Sequence, residues 1–137
     1  MATNTAGDVA REHPLQMVHY LRKTITFANN GQAPVVGYLP AGALVLPAIS
    51  GAYVTTAFNG DTTNTVDIGI TGSATKYASA LALGTLGHIE LDVISDSTNN
   101  SSLTTAVEEV IATVVSTASA SAGSAEIIMA YIPDNDR

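Results

Sequence analysis

The sequence predicts an all-β protein, an antiparallel β-sandwich of jelly-roll-like type with an extended N-terminal arm, and three observations carry that expectation. Apolar side chains recur at every second position in several short runs. Gly, Asn, Ser and Pro break those runs at the close intervals of antiparallel sheets. Cysteine is absent from the 137 residues, so neither a disulfide framework nor a thiolate metal module stands in for a hydrophobic core. A chain near this length hides roughly two thirds of its unfolded surface and builds such a core unaided.

Residues 1–16 have no periodicity, carry Pro14 and mix both charge signs, which predicts an arm that orders only against a neighbour. Residues 17–137 are expected to form one β-sandwich domain. Its first strand is announced by Leu21, Ile25 and Phe27 alternating with Arg22, Thr24 and Thr26. Asn29-Asn30-Gly31 is a turn signal. Pro34 and Pro40 flank the run 35–39, which places it at a sheet edge, because proline donates nothing to a ladder. Two further apolar runs, 43–49 and 53–58, are separated by Ser50-Gly51.

The alternation is clearest where Val66, Ile68 and Ile70 point one way and Asp67, Gly69 and Thr71 the other. Ile89, Leu91 and Val93 alternate likewise with His88, Glu90 and Asp92. Between these runs, residues 72–85 are ambiguous, and 76–83 can make one helical turn. Val107, Val110, Ile111, Val114 and Val115 also fall at helical spacing, with Thr105 and Glu108 as a possible capping box. Crowding by β-branched side chains, which lose rotamer freedom in a helix, favours a strand there. Small residues at 117–124 then suit a loop between two hairpin strands.

The last run, 126–132, is apolar on both faces: Ile127, Met129 and Tyr131 on one, Ile128, Ala130 and Ile132 on the other. Two readings stand. Either it is a central strand covered on both sides within the monomer, or one face is covered by another subunit. Ile127, Met129 and Tyr131, with Arg11, Glu12 and Pro14 of the arm, are the expected partner-binding residues.

Charge narrows the partners. Five Lys and Arg face twelve Asp and Glu, a formal net charge of −7. Nucleic-acid binding needs clustered cations, and the one adjacent pair is Arg22-Lys23. No direct nucleic-acid contact is expected, and no anionic membrane surface either. The longest apolar stretch, near 41–49, is interrupted by Pro47 and falls short of the ~20 residues of a membrane span. The N-terminal segment lacks the order of a signal peptide.

Candidates for chemistry are few. His13, His19 and His88 are the only bases that titrate near neutrality. His88 shares a predicted strand face with Glu90 and Asp92, an arrangement that could serve proton transfer or a metal but reads first as the solvated outer face of an antiparallel strand. Gly-x-Ser-x-Gly does not occur, and Gly72-Ser-Ala-Thr-Lys76 lacks the second glycine and the ending of a phosphate loop. The segment 59–67 is oxygen-rich without the EF-hand order, and both it and 95–102 read as turns before they read as calcium ligands. No catalytic, cofactor-binding or metal-binding residue is nominated, and no enzyme is expected.

Leu39-Pro-Ala-Gly-Ala43, the apolar run after it and Val54-Thr-Thr-Ala-Phe-Asn-Gly60 together resemble a signature of small β-sandwich virion proteins of tailed bacteriophages, of the capsid decoration or cement type. So does the tail, Ala112-Thr-Val-Val-Ser116, then Ser121-Ala-Gly-Ser-Ala125 and the apolar 127–132. The resemblance spans residues 17–133 and leaves the arm outside. It implies a closing β-hairpin at the tail and a structural role on the capsid exterior, after synthesis in the host cytoplasm. It also implies a homotrimer that bridges subunits of the major capsid protein, without a cofactor. Related proteins serve as head fibres or tail components, some binding host carbohydrate. That alternative wants exposed aromatic rings, and two Phe and five Tyr leave few to spare.

Overall fold

Alternating runs become strands here because each can turn one face to a shared core. The computed structural model describes residues 17–94 and 101–134. Among these residues nine strands follow one another: β1 (His19–Thr26), β2 (Val35–Leu39), β3 (Leu44–Val45), β4 (Gly51–Thr56), β5 (Asn64–Ile70), β6 (Ser73–Ala82), β7 (Gly87–Glu90), β8 (Glu108–Ser116) and β9 (Ser124–Ile132). They form two antiparallel sheets, one ordered β1-β9-β4-β7 with β3 on the end of β9, the other β2-β8-β5-β6. Sequence-distant strands are therefore neighbours, and the packed inner faces make one core. Ile25, Val54 and Ile127 of the first sheet meet Leu39, Ile68 and Val110 of the second in it.

Val66 and Ile68 are fully buried while Asp67 lies on the outer side of β5, as the alternation requires. Segment 108–116 is a strand: Val110, Ala112 and Val114 are inward and sealed. β2 is an edge strand, as its flanking prolines predict. The run 88–93 keeps its inward residues, Leu91 being fully buried, but pairing stops at Glu90.

Two expectations are corrected. Residues 76–83 make no helical turn and lie mostly in β6. That strand pairs with β5 through register shifts between Val66 and Ile68 and between Ile68 and Ile70, and Ala80 has a φ of 53°. Bulges break the period of two, so Tyr77 and Ala78 are both buried and the strand signature is lost. The bulge is held by side chains, with Ala80 N donating to Asp67 Oδ1 (2.7 Å) and Ser79 N to Asp92 Oδ1 (2.9 Å).

The second correction concerns the tail. β8 and β9 are not a hairpin, since β8 pairs with β2 and β5 while β9 pairs with β1, β3 and β4. Residues 117–123 carry the chain from one sheet to the other. The arm 1–16, with Arg11, Glu12 and Pro14, lies outside the described residues.

Candidate interaction surface

β9 is central to the first sheet, so its two faces have different fates. Ile127 and Met129 have no accessible surface in the single chain, and Tyr131 is half-buried against the core with its ring 5.8 Å from that of His19. The three nominated residues thus sit on the inward face. Outward stand Glu126, Ile128, Ala130 and Ile132.

The register builds a surface around them. Tyr20 opposes Ala130, Arg22 opposes Ile128, and Thr24 opposes Glu126 on the β1 side. On the β4 side Gly51 opposes Ile128 and Tyr53 opposes Glu126. Ala130 is small and lies between the larger Tyr20 and Ile49, which leaves a hollow of about 330 Å³. Val18, Arg22 and Ile128 complete its lining. Tyr20 is 66% exposed and Ile49 54%, large values for apolar groups in a chain this short of charge.

Among the described residues one ion pair lies on this face, and Glu90 stands at its β7 side opposite Gly51. Arg22 Nε lies 3.4 Å from Glu126 Oε2, and the Thr24 hydroxyl hydrogen-bonds the same carboxylate at 2.9 Å. The Arg22 hydrogen bond, helped by Thr24, holds the Glu126 carboxyl below the usual carboxylate range despite some desolvation. The same contact raises the Arg22 guanidinium. Underneath, Ser50 Oγ accepts from Ala130 N at 2.8 Å and ties the β4 entrance to β9.

The outer face of the second sheet differs. Val35, Tyr38 and Val115 are exposed, and Tyr38 donates to Glu109 at 2.9 Å, which pushes its phenol above the ordinary range. Asp67 lies on this face too, and no described cation accompanies either acid in an ion pair. Inside the sheet, Glu108 receives the Tyr77 hydroxyl on one oxygen and Lys76 on the other.

Other nominated chemistry is dispersed. His88 Nε2 donates to the Ser50 carbonyl at 3.1 Å, and Asp92 is turned to the Ser79 amide, so His88, Glu90 and Asp92 do not converge. In the 59–67 loop, Asn59 Oδ1 accepts from Ser121 N and Ala122 N, and Asn64 Oδ1 from Gly60 N and Ser116 Oγ. These oxygens are engaged in loop hydrogen bonds. Among the described residues no three His, Asp or Glu gather as metal ligands, and no helix is long and apolar enough to cross a membrane. His13 and most of 95–102 lie outside the described residues.

The sequence reading missed the hollow, because its walls come from segments far apart in the chain. The available signal was the second apolar face of β9. It also underestimated aromatic exposure: Tyr20, Tyr38 and Tyr53 all face solvent. Tyr38 is on one sheet and the other two lie across β9 four residues apart in register, so they form no common stacking platform.

A chain of the "Cyanophage Pam1 capsid asymmetric unit" has a similar structure, with a TM-score of 0.62 and 23% identity over 96% of this chain and 96% of that chain. The likeness is one of fold. No family model matches the sequence, and no curated protein matches it.

Proposed function

We propose that this chain is a structural protein of a phage virion, and specifically a decoration or cement protein on the outside of the capsid. The observation that carries the reading is the likeness to a chain of a cyanophage capsid asymmetric unit, which covers 96% of both chains. Both chains are thus of nearly equal length, and the similarity runs over nearly all of each. The order of the two sheets is read as a jelly roll with two Greek keys.

The physical chemistry supports a bound, non-enzymatic role. A net charge of −7 suits the outside of a particle that encloses DNA, where no basic face is needed. Affinity then comes from apolar patches repeated over many copies. In this reading the chain bridges major capsid protein subunits as a homotrimer. Residues 1–16 act as a strap, Arg11 and Glu12 pairing with shell charges and Pro14 keeping the segment extended. Because Ile127 and Met129 belong to the monomer core, the partner contact of β9 is assigned to its outward Ile128 and Ile132.

The test is add-back to purified shells lacking the protein. Density for the chain at regular sites over the shell, with a raised capsid melting temperature, is the expected result. Density confined to a fibre or tail would overturn the decoration role. Deleting residues 1–16 should abolish shell binding while the circular-dichroism spectrum stays that of a folded β-protein, and unchanged affinity would remove the strap.

A further inference from the structure

Asn followed by Gly occurs twice, at Asn30-Gly31 and Asn59-Gly60, and the fold favours glycine at both second positions. Gly31 has φ +77°, and a Cβ on Gly60 would fall 2.7 Å from Asn64 Oδ1 and 2.9 Å from Thr117 N. Such a pair carries a chemical hazard, because no side chain on the glycine screens its backbone nitrogen from the preceding carboxamide. Attack of that nitrogen on Asn Cγ closes a five-membered succinimide and expels ammonia, the nitrogen's proton leaving with the NH2 group. Water then opens the ring at either carbonyl. The product is aspartate, or isoaspartate with the backbone rerouted through the side chain.

The structure holds back both reacting groups at both places. Asn59 Oδ1 accepts from Ser121 N at 2.9 Å and Ala122 N at 3.0 Å, and its Nδ2 donates to Ser121 Oγ. Gly60 N donates to Asn64 Oδ1 at 2.9 Å. At the other pair, Asn30 Oδ1 accepts from Ser116 N at 2.9 Å, and Gly31 N donates to the Val114 carbonyl at 2.9 Å. Asn30 also has a ψ of 128°, which turns the Gly31 nitrogen away from the Asn30 side chain. Both arrangements lean on one buried residue: Ser116 holds Asn30 through its amide and Asn64 through its hydroxyl at 2.8 Å.

We propose that Asn30 and Asn59 are latent deamidation sites, closed by the fold and reached only when the loops around Ser116 open. A nitrogen whose proton is donated into a hydrogen bond is a poor nucleophile. A carboxamide pinned by backbone amides cannot swing onto the next residue. Conversion at Asn59 runs one way. Aspartate has no Nδ2 to donate to Ser121 Oγ, and isoaspartate lengthens the backbone by a carbon atom. The contact between the β4–β5 loop and the crossing from β8 to β9 then does not re-form. Chemical ageing therefore records how often this corner of the sandwich opens, whether or not the chain decorates a shell.

The test holds full-length protein at mildly alkaline pH, native or in concentrated guanidinium chloride, and follows asparagine, aspartate and isoaspartate at each site by peptide mapping. Both sites should convert in denaturant. The native fold should slow each by about tenfold or more, since reaction proceeds from the opened fraction alone. Asn64→Ala frees Gly60 N and should speed Asn59 by about fivefold or more relative to Asn30 in the same native molecules. Asn64→Asp keeps an acceptor for Gly60 N, so the ratio of the two sites should stay within about twofold of wild type although the fold is weakened. Native and unfolded chains that convert at equal rates would overturn the proposal. So would an Asn64→Ala variant in which Asn59 is no faster, or in which both sites speed up together through global unfolding. An Asn64→Asp variant that matches Asn64→Ala would overturn it as well, because the acceptor would then shield nothing.

Discussion

The Tyr77 hydroxyl donates to the Glu108 carboxylate, and Lys76 meets the other oxygen of the same group. Tyr77 is fully buried, and the Lys76 ammonium sits 5.3 Å from the centre of its ring. One carboxylate therefore satisfies a buried phenol and a largely shielded cation, and it joins β6 to β8 across β5. Glu108→Ala strands both donors and should cost about 2–4 kcal/mol in urea unfolding. Tyr77→Phe removes one donor and leaves Glu108 with Lys76, so about 1–2 kcal/mol is expected. A double-mutant cycle on the two positions should show clear coupling, and additive losses would mean the contact contributes nothing.

The same burial predicts an alkaline limb in stability. Desolvation first, and the Glu108 contact second, push the Tyr77 phenol well above its ordinary value of 10. A group with a raised folded pKa keeps its proton in the folded state after the unfolded chain has lost it. Its stabilising contribution is complete below pH ~10 and falls as pH rises further, by up to about 1.4 kcal/mol per pH unit for one proton. Melting temperatures from pH 8 upward should therefore drop more steeply in wild type than in Tyr77→Phe above that point. Parallel profiles would show that Tyr77 ionises as freely folded as unfolded.

How far the fold was legible depended on whether a strand kept its period. Val66 and Ile68 alternate with Asp67 and were read directly, and the β-branched residues of 108–116 outweighed their helical spacing. β6 was not legible, because its bulges bury Tyr77 and Ala78 in succession and Ala80 has positive φ. The tail was read as a hairpin because local sequence records that two strands exist and are joined, while the choice of sheet is made by distant partners such as β1 and β5. The candidate surface followed the same rule. Both apolar faces of β9 were visible, but which one turns inward is fixed by its place between β1 and β4. The hollow depends on residues 18, 49 and 130 meeting.

Gly51 opens β4 with φ +130°, and a Cβ there would fall 2.0 Å from the Ile89 carbonyl oxygen of β7. Both the backbone angle and the close approach of a paired strand exclude a side chain. Gly51→Ala should destabilise by about 3 kcal/mol or more, through strain and loss of the β4–β7 ladder. Gly31 has φ +77° with nothing within 4 Å of its would-be Cβ, so Gly31→Ala should cost only about 1 kcal/mol, the conformational part alone. Comparable losses at both positions, measured by thermal unfolding, would show that the β7 approach is not the source.

The oxygen-rich loop at 59–67 offers the last test, because its side chains have a structural use that competes with a cation. Asn64 accepts from Gly60 N at 2.9 Å and from Ser116 Oγ at 2.8 Å, and it donates back to the Gly60 carbonyl at 2.9 Å. Asn59 bridges to Ser121 through its amide nitrogen at 3.0 Å, while its oxygen holds two backbone amides of the β8–β9 crossing. These contacts fasten the β4–β5 loop to the segment that switches sheets. Asn64→Ala removes three of them at a half-buried position and should cost about 2–3 kcal/mol. Asn64→Asp keeps the acceptor but sets a carboxylate against the Gly60 carbonyl, so it should lose about 1–2 kcal/mol at neutral pH and less in acid, where the protonated side chain can donate. Millimolar calcium should leave the melting temperature of wild type unchanged, since occupying the oxygens would break the amide contacts that hold the loops. A calcium-dependent rise that disappears in Asn64→Ala would show that this loop is an ion site and that its hydrogen bonds are the resting form of it.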